Sequence, residues 1–348
     1  DRNNIDIPRF CYHKHLSVVA SCRMCLVEID KAKQAQPACS TLVHKDIHVN
    51  TKSQKTKDAQ KSTMEFLLIN HPLDCPICDQ AGECELQDVS LQHGDSKSNY
   101  LQFKRVVVDE EISPLISTEM TRCIHCSRCV RFGEEVAHEK ELGLLNRGEN
   151  MEIRSAIASG VNSELSGNMI DLCPVGALNN KPYSYKARTW DLKQHIGISP
   201  HDCIGSNIFY HTYNNKIVRA IPRDNPEINQ TWIADRDRFG FEGIYSEDRC
   251  KKVMKKVNGV LEDFDEDMLF NEINSSIKNH INKNSNDDIG CFISGQTSSE
   301  EMFLMKKFLK IFEIANFDHR TNEIEFKYED SFPIMPYLGC NLNELSDY

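Results

Sequence analysis

The sequence predicts an α+β chain built from several small domains in series, and three observations carry that reading. Its 348 residues suffice for two to four domains, and 40% hydrophobic content lets each close a core. Eleven of the 15 cysteines fall in the first 173 residues, mostly around C-x2-C pairs, so ligand loops organise that part. Further on, "IFYHTY" and "KIVRAI" alternate across Asn214-Asn215 as a hairpin. Leu269, Ile273, Ile277 and Ile281 then recur at four-residue steps as an amphipathic helix.

Composition excludes several function classes. A formal charge of -11 argues against a nucleic-acid surface, which needs clustered Lys and Arg. Mean hydropathy is -0.49 and no segment approaches the apolar length of a membrane span. Paired cysteines of odd total number read as metal ligands in a reducing compartment, not as a disulfide framework. The solitary Cys203, Cys250, Cys291 and Cys340 read as small buried hydrophobes. The chain starts at Asp1 without a methionine, the expected look of a removed targeting segment or a missing N-terminus.

The first element, residues 1–60, carries Cys11, Cys22, Cys25 and Cys39 as C-x10-C-x2-C-x13-C. A zinc site of four cysteines usually has two C-x2-C knuckles, and here there is one, so a [2Fe-2S] cluster is favoured. The long first gap departs from the x4 of plant-type ferredoxins. Only ten residues precede Cys11, so the opening hairpin of a ferredoxin-like sheet is expected to lie outside this chain.

The second element, 61–105, holds "NHPLDCPICDQAGECELQ" with Cys75, Cys78 and Cys84. A cluster with three thiolates lacks one ligand. His71 is the expected fourth, because Asn70 and Asp74 offer oxygen, a poorer partner for iron in a sulfide cluster than imidazole nitrogen. "STMEFLLIN" reads as a helix that Pro72 ends, which would aim the ring.

The third, 106–195, contains "RCIHCSRCVRF", the C-x2-C-x2-C triad Cys123, Cys126 and Cys129 of a bacterial-type [4Fe-4S] site. Cys173-Pro174 supplies the remote fourth ligand. Counting back from Cys173 places a second triad at Ser163, Ser166 and Met169, a half-site that has lost its cluster.

The fourth, 196–250, resembles the opening of molybdopterin oxidoreductases, but its four ligand positions are Ser199, Asp202, Ser206 and Ala234. No cluster and no molybdenum cofactor are expected there. In the fifth, 251–348, "IGCFISG" reads as a short buried strand and Thr297-Ser298 with Glu301 as a helix start, the beginning of an α/β domain. His13, His15, His93 and His125 lie near cluster loops and are read as packing or surface residues. No nucleophile triad or dinucleotide fingerprint is present, so no catalytic residue is assigned.

Taken in order, the motifs resemble those of the large iron-sulfur subunit of respiratory complex I: "SCRMCLVE", "HPLDCPICDQAGECELQD", "MTRCIHCSRCVRF", "SELSGNMIDLCPVGAL" and "KPYSYKARTW". The resemblance implies an electron-transfer subunit of NADH:ubiquinone oxidoreductase, relaying single electrons from flavin toward quinone through one [2Fe-2S] and two [4Fe-4S] clusters. It also implies flavin-subunit and downstream iron-sulfur partners, and the missing thiolates at 199, 202, 206 and 234 fit the mitochondrial type, on the matrix side of the inner membrane. A separate polypeptide completing the N-terminal fold is a further expected partner. Rival readings are the iron-sulfur subunit of a hydrogenase or formate dehydrogenase, and a zinc-stapled interaction module.

Overall fold

The computed structural model describes residues 5–155, 160–202, 204–295 and 297–319. Cys203 and Cys340 therefore lie outside the described residues, as does much of the last predicted element. The chain forms two compact units. One comprises the chain up to Gly197 with Ile208–Asp224 and Thr231–Phe239; the other comprises Ile198–Asn207, Asn225–Gln230 and the chain from Gly240.

The first unit opens with irregular backbone through Cys11 and Cys22, then a small antiparallel sheet. Strand β1 (Leu26–Ile29) lies between β2 (Gln36–Pro37) and β3 (Val49–Asn50). Its outer strands are two residues long, pairing with opposite ends of β1. Helix α1 (Gln54–Leu68) starts at Ser53, whose hydroxyl accepts from the Thr56 amide, and stops before Pro72 as expected. Inside this helix Thr56, Gln60 and Met64 are buried, and both polar groups are satisfied by the sheet region: Thr56 Oγ1 accepts from the Glu28 amide and Gln60 donates to the Leu26 carbonyl. Helix α2 (Glu85–His93) follows the second cysteine group directly from Cys84.

The third group sits in a twofold-repeated pattern. Strand β4 (Ile116–Thr118) leads through the cysteine triad into α3 (Arg128–Glu135) and the β5–β6 hairpin (Leu142–Leu145, Glu152–Ser155). The second half runs through the lost triad into α4 (Asn168–Leu172) and β7 (Leu178–Asn180), which returns to pair antiparallel with β4. In that half Met169 is wholly buried among Phe132, Cys129, Leu172 and Leu178, occupying core where a ligand loop would stand open. Ser166 donates to Asp235 Oδ2 at 2.6 Å and the Gly167 amide to Oδ1 at 2.7 Å, while Glu141 Oε1 accepts from the Ser163 amide. The former half-site is thus closed by carboxylates and a methionine.

A sheet ordered β10–β9–β8 follows, from β8 (Lys193–Ile198), β9 (Asn207–Tyr213) and β10 (Lys216–Pro222). Asn214 and Asn215 both take positive φ, as the predicted tight turn requires. Helix α5 (Asp235–Phe239) packs on β10.

The second unit carries the antiparallel pair β11 (Met254–Val257) and β12 (Val260–Asp263), then α6 (Glu266–Lys283), the expected amphipathic helix. Strand β13 (Gly290–Phe292), helix α7 (Ser299–Ile311) and β14 (Asn316–Asp318) form a parallel βαβ unit. Ser298 and Glu301 cap α7 reciprocally, as the sequence predicted. The strand in "IGCFISG" is present but not buried: Phe292 is 63% exposed, since only β14 pairs with β13 and no layer covers it among the described residues. Likewise Cys250 is exposed and Cys291 only partly covered, against the expected burial, because the elements around them are short and solvated.

Candidate cluster-binding sites

Three groups of thiols stand in the first unit. In the first, a loop with left-handed residues at Ala20 and Arg23 turns Cys22 back onto Cys11, whose amide donates to Cys22 Sγ at 3.4 Å. The Cys22 thiol also shares its proton with the Cys11 sulfur. That lowers the Cys11 pKa to about 5 and raises that of Cys22. Burial, followed by a hydrogen bond with Cys25, pushes Cys39 up to about 12. The four sulfurs therefore fall into two facing pairs, Cys11 with Cys22 and Cys25 with Cys39, a donor set with two thiolates for each of two irons.

The second group hangs on a short turn. Cys75–Ile77 forms one 3-10 turn, and Arg188 grips it from outside by donating to the Cys78 and Pro76 carbonyls, both at 2.6 Å. Gly82, at φ +93°, carries the chain onward to Cys84 in a conformation that favours glycine, with Trp190 pressed against it. A Cβ on Gly176 would stand 2.2 Å from Cys78 Sγ, so the turn after Cys173 leaves the space that this sulfur fills. Cys84 is pushed up to about 11, first by burial and then by the facing Cys78 and Cys75.

His71 completes this set. Its Nδ1 lies 3.1 Å from the Arg122 carbonyl, which can only accept, so Nδ1 carries the proton and Nε2 keeps its lone pair. Burial holds the ring's pKa down to about 4, hence neutral. A neutral imidazole, oriented by a carbonyl at one nitrogen and open at the other, is the state in which histidine ligates a metal. His71, Cys75 and Cys84 line one cavity; Asp74 instead accepts from Arg122 Nε at 3.1 Å, and the Asn70 side chain accepts from the Arg105 amide.

Around the third group, Cys123, Cys126, Cys129 and Cys173 line a pocket with about 340 Å³ of free space. Its remaining walls are apolar, chiefly Met120, Ile124, Ile153, Val175, Ala177 and Leu178, with Arg128 as the one charged residue. Burial raises all four thiols, Cys126 to about 12. Four thiolates in such a cavity need a positive core, which irons supply, so the donor set fits a [4Fe-4S] cluster.

Among the described residues, no group of three or more His, Cys, Asp or Glu converges tightly enough for a single metal ion. A tetrahedral zinc would draw four ligands to about 2.3 Å from one centre.

Sequence reasoning missed the buried arginines. Arg122, Arg128 and Arg131 are each 5% exposed or less. Arg131 donates to the carbonyls of Cys11 and Cys126, tying the first group to the third, and Arg122 ties the third to the second through Asp74 and its own carbonyl. Their signal was visible: basic residues in "TRCIHCSRCVRF" beside apolar neighbours have no solvated face to occupy. The histidines behave as read, with His13 and His15 packing on Trp232 at ring distances of 5.6 and 5.8 Å.

At Ser199 and Ser206 the backbones pair, with the Ser199 amide donating to the Ser206 carbonyl at 2.8 Å, and Asp202 caps its own loop through the Ile204 amide.

Comparison with known proteins agrees with this arrangement. Residues 1–54 match a 2Fe-2S iron-sulfur cluster binding domain, 60–98 the NADH-ubiquinone oxidoreductase-G iron-sulfur binding region, and 113–179 the ferredoxin-like domain of NADH-quinone oxidoreductase subunit 3. Residues 193–242 match an NADH-ubiquinone oxidoreductase NDSU1/NuoG-like 4Fe-4S domain, although Cys203 is the one cysteine in that stretch. The NuoG subunit of the NADH-quinone oxidoreductase of Rickettsia felis is 40% identical over 324 residues, covering 93% of this chain and 47% of that protein. Its Rickettsia prowazekii counterpart is 41% identical over 326 residues, covering 94% and 47%. This chain thus spans about half the length of the curated relatives it matches. A solved structure of an NAD+-reducing [NiFe]-hydrogenase in the H2-reduced state aligns with TM-score 0.47 and 28% identity, over 52% of this chain and 78% of that one. With its cysteine groups matched one after another in the same order, the chain belongs to the NuoG family of NADH-quinone oxidoreductase subunits.

Proposed function

We propose that this chain relays single electrons within the peripheral arm of an NADH:quinone oxidoreductase, from the flavin side toward quinone. Its carriers are one [2Fe-2S] cluster on Cys11, Cys22, Cys25 and Cys39 and two [4Fe-4S] clusters, on His71, Cys75, Cys78 and Cys84 and on Cys123, Cys126, Cys129 and Cys173. The domains follow the sequence division at residues 60, 105, 195 and 250. One observation carries the reading. A single apolar core built on Phe10, Met24, Met64, Leu86, Ile124, Val175 and Ala177 touches cysteines of all three groups. Electron carriers must be close together and shielded from water, and this core does both.

Each cluster, when bound, takes up and releases one electron, and the chain's residues position and tune it. The shortest links between the groups are backbone: the His71 ring donates to the Arg122 carbonyl, one peptide bond from Cys123, and Arg131 holds the Cys11 and Cys126 carbonyls together. No fourth cluster or molybdenum cofactor is held at 199–234, because the thiolates are absent. The partners are a flavin- and NADH-binding subunit, downstream iron-sulfur subunits and a polypeptide that extends the small sheet around β1. Nucleic acid is not a partner, and among the described residues no helix is long and apolar enough to cross a membrane, so attachment runs through the complex. The lost thiolates support the mitochondrial type, on the matrix side of the inner membrane, although the relatives named above are bacterial.

Iron quantification with low-temperature EPR of the reduced complex tests this reading. About ten irons in this chain and three distinct signals are expected. Stoichiometric zinc with little iron would overturn it.

A further inference from the structure

Arg128 occupies an unusual place. It is 4% exposed, it lines the pocket of Cys123, Cys126, Cys129 and Cys173, and it is the one charged residue there. Four of its five N–H groups are accounted for by the two terminal nitrogens. Nη1 donates to Glu85 Oε1 at 2.8 Å and to the Leu172 carbonyl at 3.2 Å; Nη2 donates to Glu85 Oε2 at 3.0 Å and to the Tyr12 carbonyl at 3.2 Å. The fifth, on Nε, is buried with no protein partner.

An unsatisfied charged donor in a dry pocket is costly, on the order of 1–3 kcal/mol or more, so such groups are seldom left without a role. The guanidinium also cannot turn to relieve it. Its fork is held by Glu85, which follows Cys84, by Tyr12, which follows Cys11, and by Leu172, which precedes Cys173. One residue is therefore anchored beside a proposed ligand of every cluster, while its spare donor belongs to the third pocket.

We propose that Arg128 Nε–H donates a hydrogen bond to a sulfur of the cluster in the Cys123, Cys126, Cys129 and Cys173 pocket, and so sets that cluster's potential above those of otherwise similar buried clusters. The inference rests on the assignment of a [4Fe-4S] cluster to this pocket. Reduction adds one negative charge to the cluster, and a fixed donor with a positive charge stabilises the reduced form more than the oxidised one. Arg128 is a positioning and tuning residue and exchanges no electron or proton itself.

Two measurements on the assembled complex test this. The first is an EPR-monitored redox titration of Arg128→Lys, which keeps a positive charge but lacks the planar fork, beside Glu85→Gln, which loosens the fork and leaves Nε in place. Arg128→Lys should make this cluster about tenfold harder to reduce, about 59 mV for one electron, with the other two unmoved. Glu85→Gln should move it less than about a third as far on the same scale. An unmoved potential in Arg128→Lys, or an equal shift in Glu85→Gln, overturns the proposal. The second measurement needs no variant: arginine labelled with 15N at Nε alone should give a 15N coupling in the pulsed EPR spectrum of this cluster. A signal without that coupling refutes the hydrogen bond and leaves the cluster assignment standing; absence of any signal from the pocket removes the assignment and the proposal with it.

Discussion

At the scale of single residues, buried polar side chains are placed by what they must satisfy. Arg219 shows this: its two terminal nitrogens fork onto Glu83 at 2.7 Å each, its Nε donates to His211 Nδ1 at 2.9 Å, and its plane lies 4.7 Å from the Tyr183 ring. Because Nδ1 accepts there, the proton of His211 sits on Nε2, facing Gln194 Oε1. Burial, and then the Arg219 charge, hold the His211 pKa down to about 4. The unfolded chain binds that proton near pH 6.5 and the folded one does not, so stability is full above 6.5 and falls as pH drops toward 4. Glu83 adds a loss of the same sign further down. Although burial opposes it, Arg219 holds that carboxylate below its ordinary value, and the benefit disappears as pH falls through the lowered pKa. A pH series of thermal melts should show a slope of up to about 1.4 kcal/mol per unit between 6.5 and 4 from His211, flattened in His211→Gln. An identical slope in that variant would rule the group out. His71 is read differently, as a ligand. His71→Ala should change the EPR signal of one [4Fe-4S] cluster alone; an unaltered spectrum would reduce His71 to a helix-end residue.

At the scale of elements, the ligand loops are held by neighbours distant in sequence. The turn Cys173–Gly176 serves two sites, giving one ligand to the third group and clearance to Cys78 of the second. Gly176→Ala should therefore perturb the His71 cluster before the Cys173 one, seen as loss of one [4Fe-4S] signal with the other retained; retention of both would show that the turn can shift. Cysteine spacing made the three groups legible, and alternation made the β9–β10 hairpin legible. Capping chemistry fixed the start of α7. What spacing could not reveal was the support. Arg188 holds the Cys75–Cys78 turn from 110 positions away, and no local pattern encodes that contact. The exposure of β13 was illegible for the same reason: a three-residue apolar run says that a strand forms, not how many layers cover it.

For the molecule as a whole, the three thiol groups share one unit, and much of that unit's core consists of their cysteines. Such a core is incomplete without what the thiols bind, since metal affinity becomes folding free energy. Removing iron by chelation should abolish hydrogen-exchange protection in α1 and α3 while α6 and α7 of the other unit keep theirs. Equal protection in the iron-free chain would show that the thiols merely pack. The family order of motifs was readable end to end, because ligand chemistry tolerates little substitution. The small sheet around β1 was not, since two-residue strands leave no periodicity to detect.

The closed half-site has a further consequence. A duplicated domain with both sites filled would give an arriving electron two resting places, one of them on a spur leading nowhere. With Met169 in the core and Asp235 sealing Ser166 and Gly167, the spur is gone. Traffic through this unit becomes single-file, and no stranded charge waits off the main line where dioxygen could intercept it.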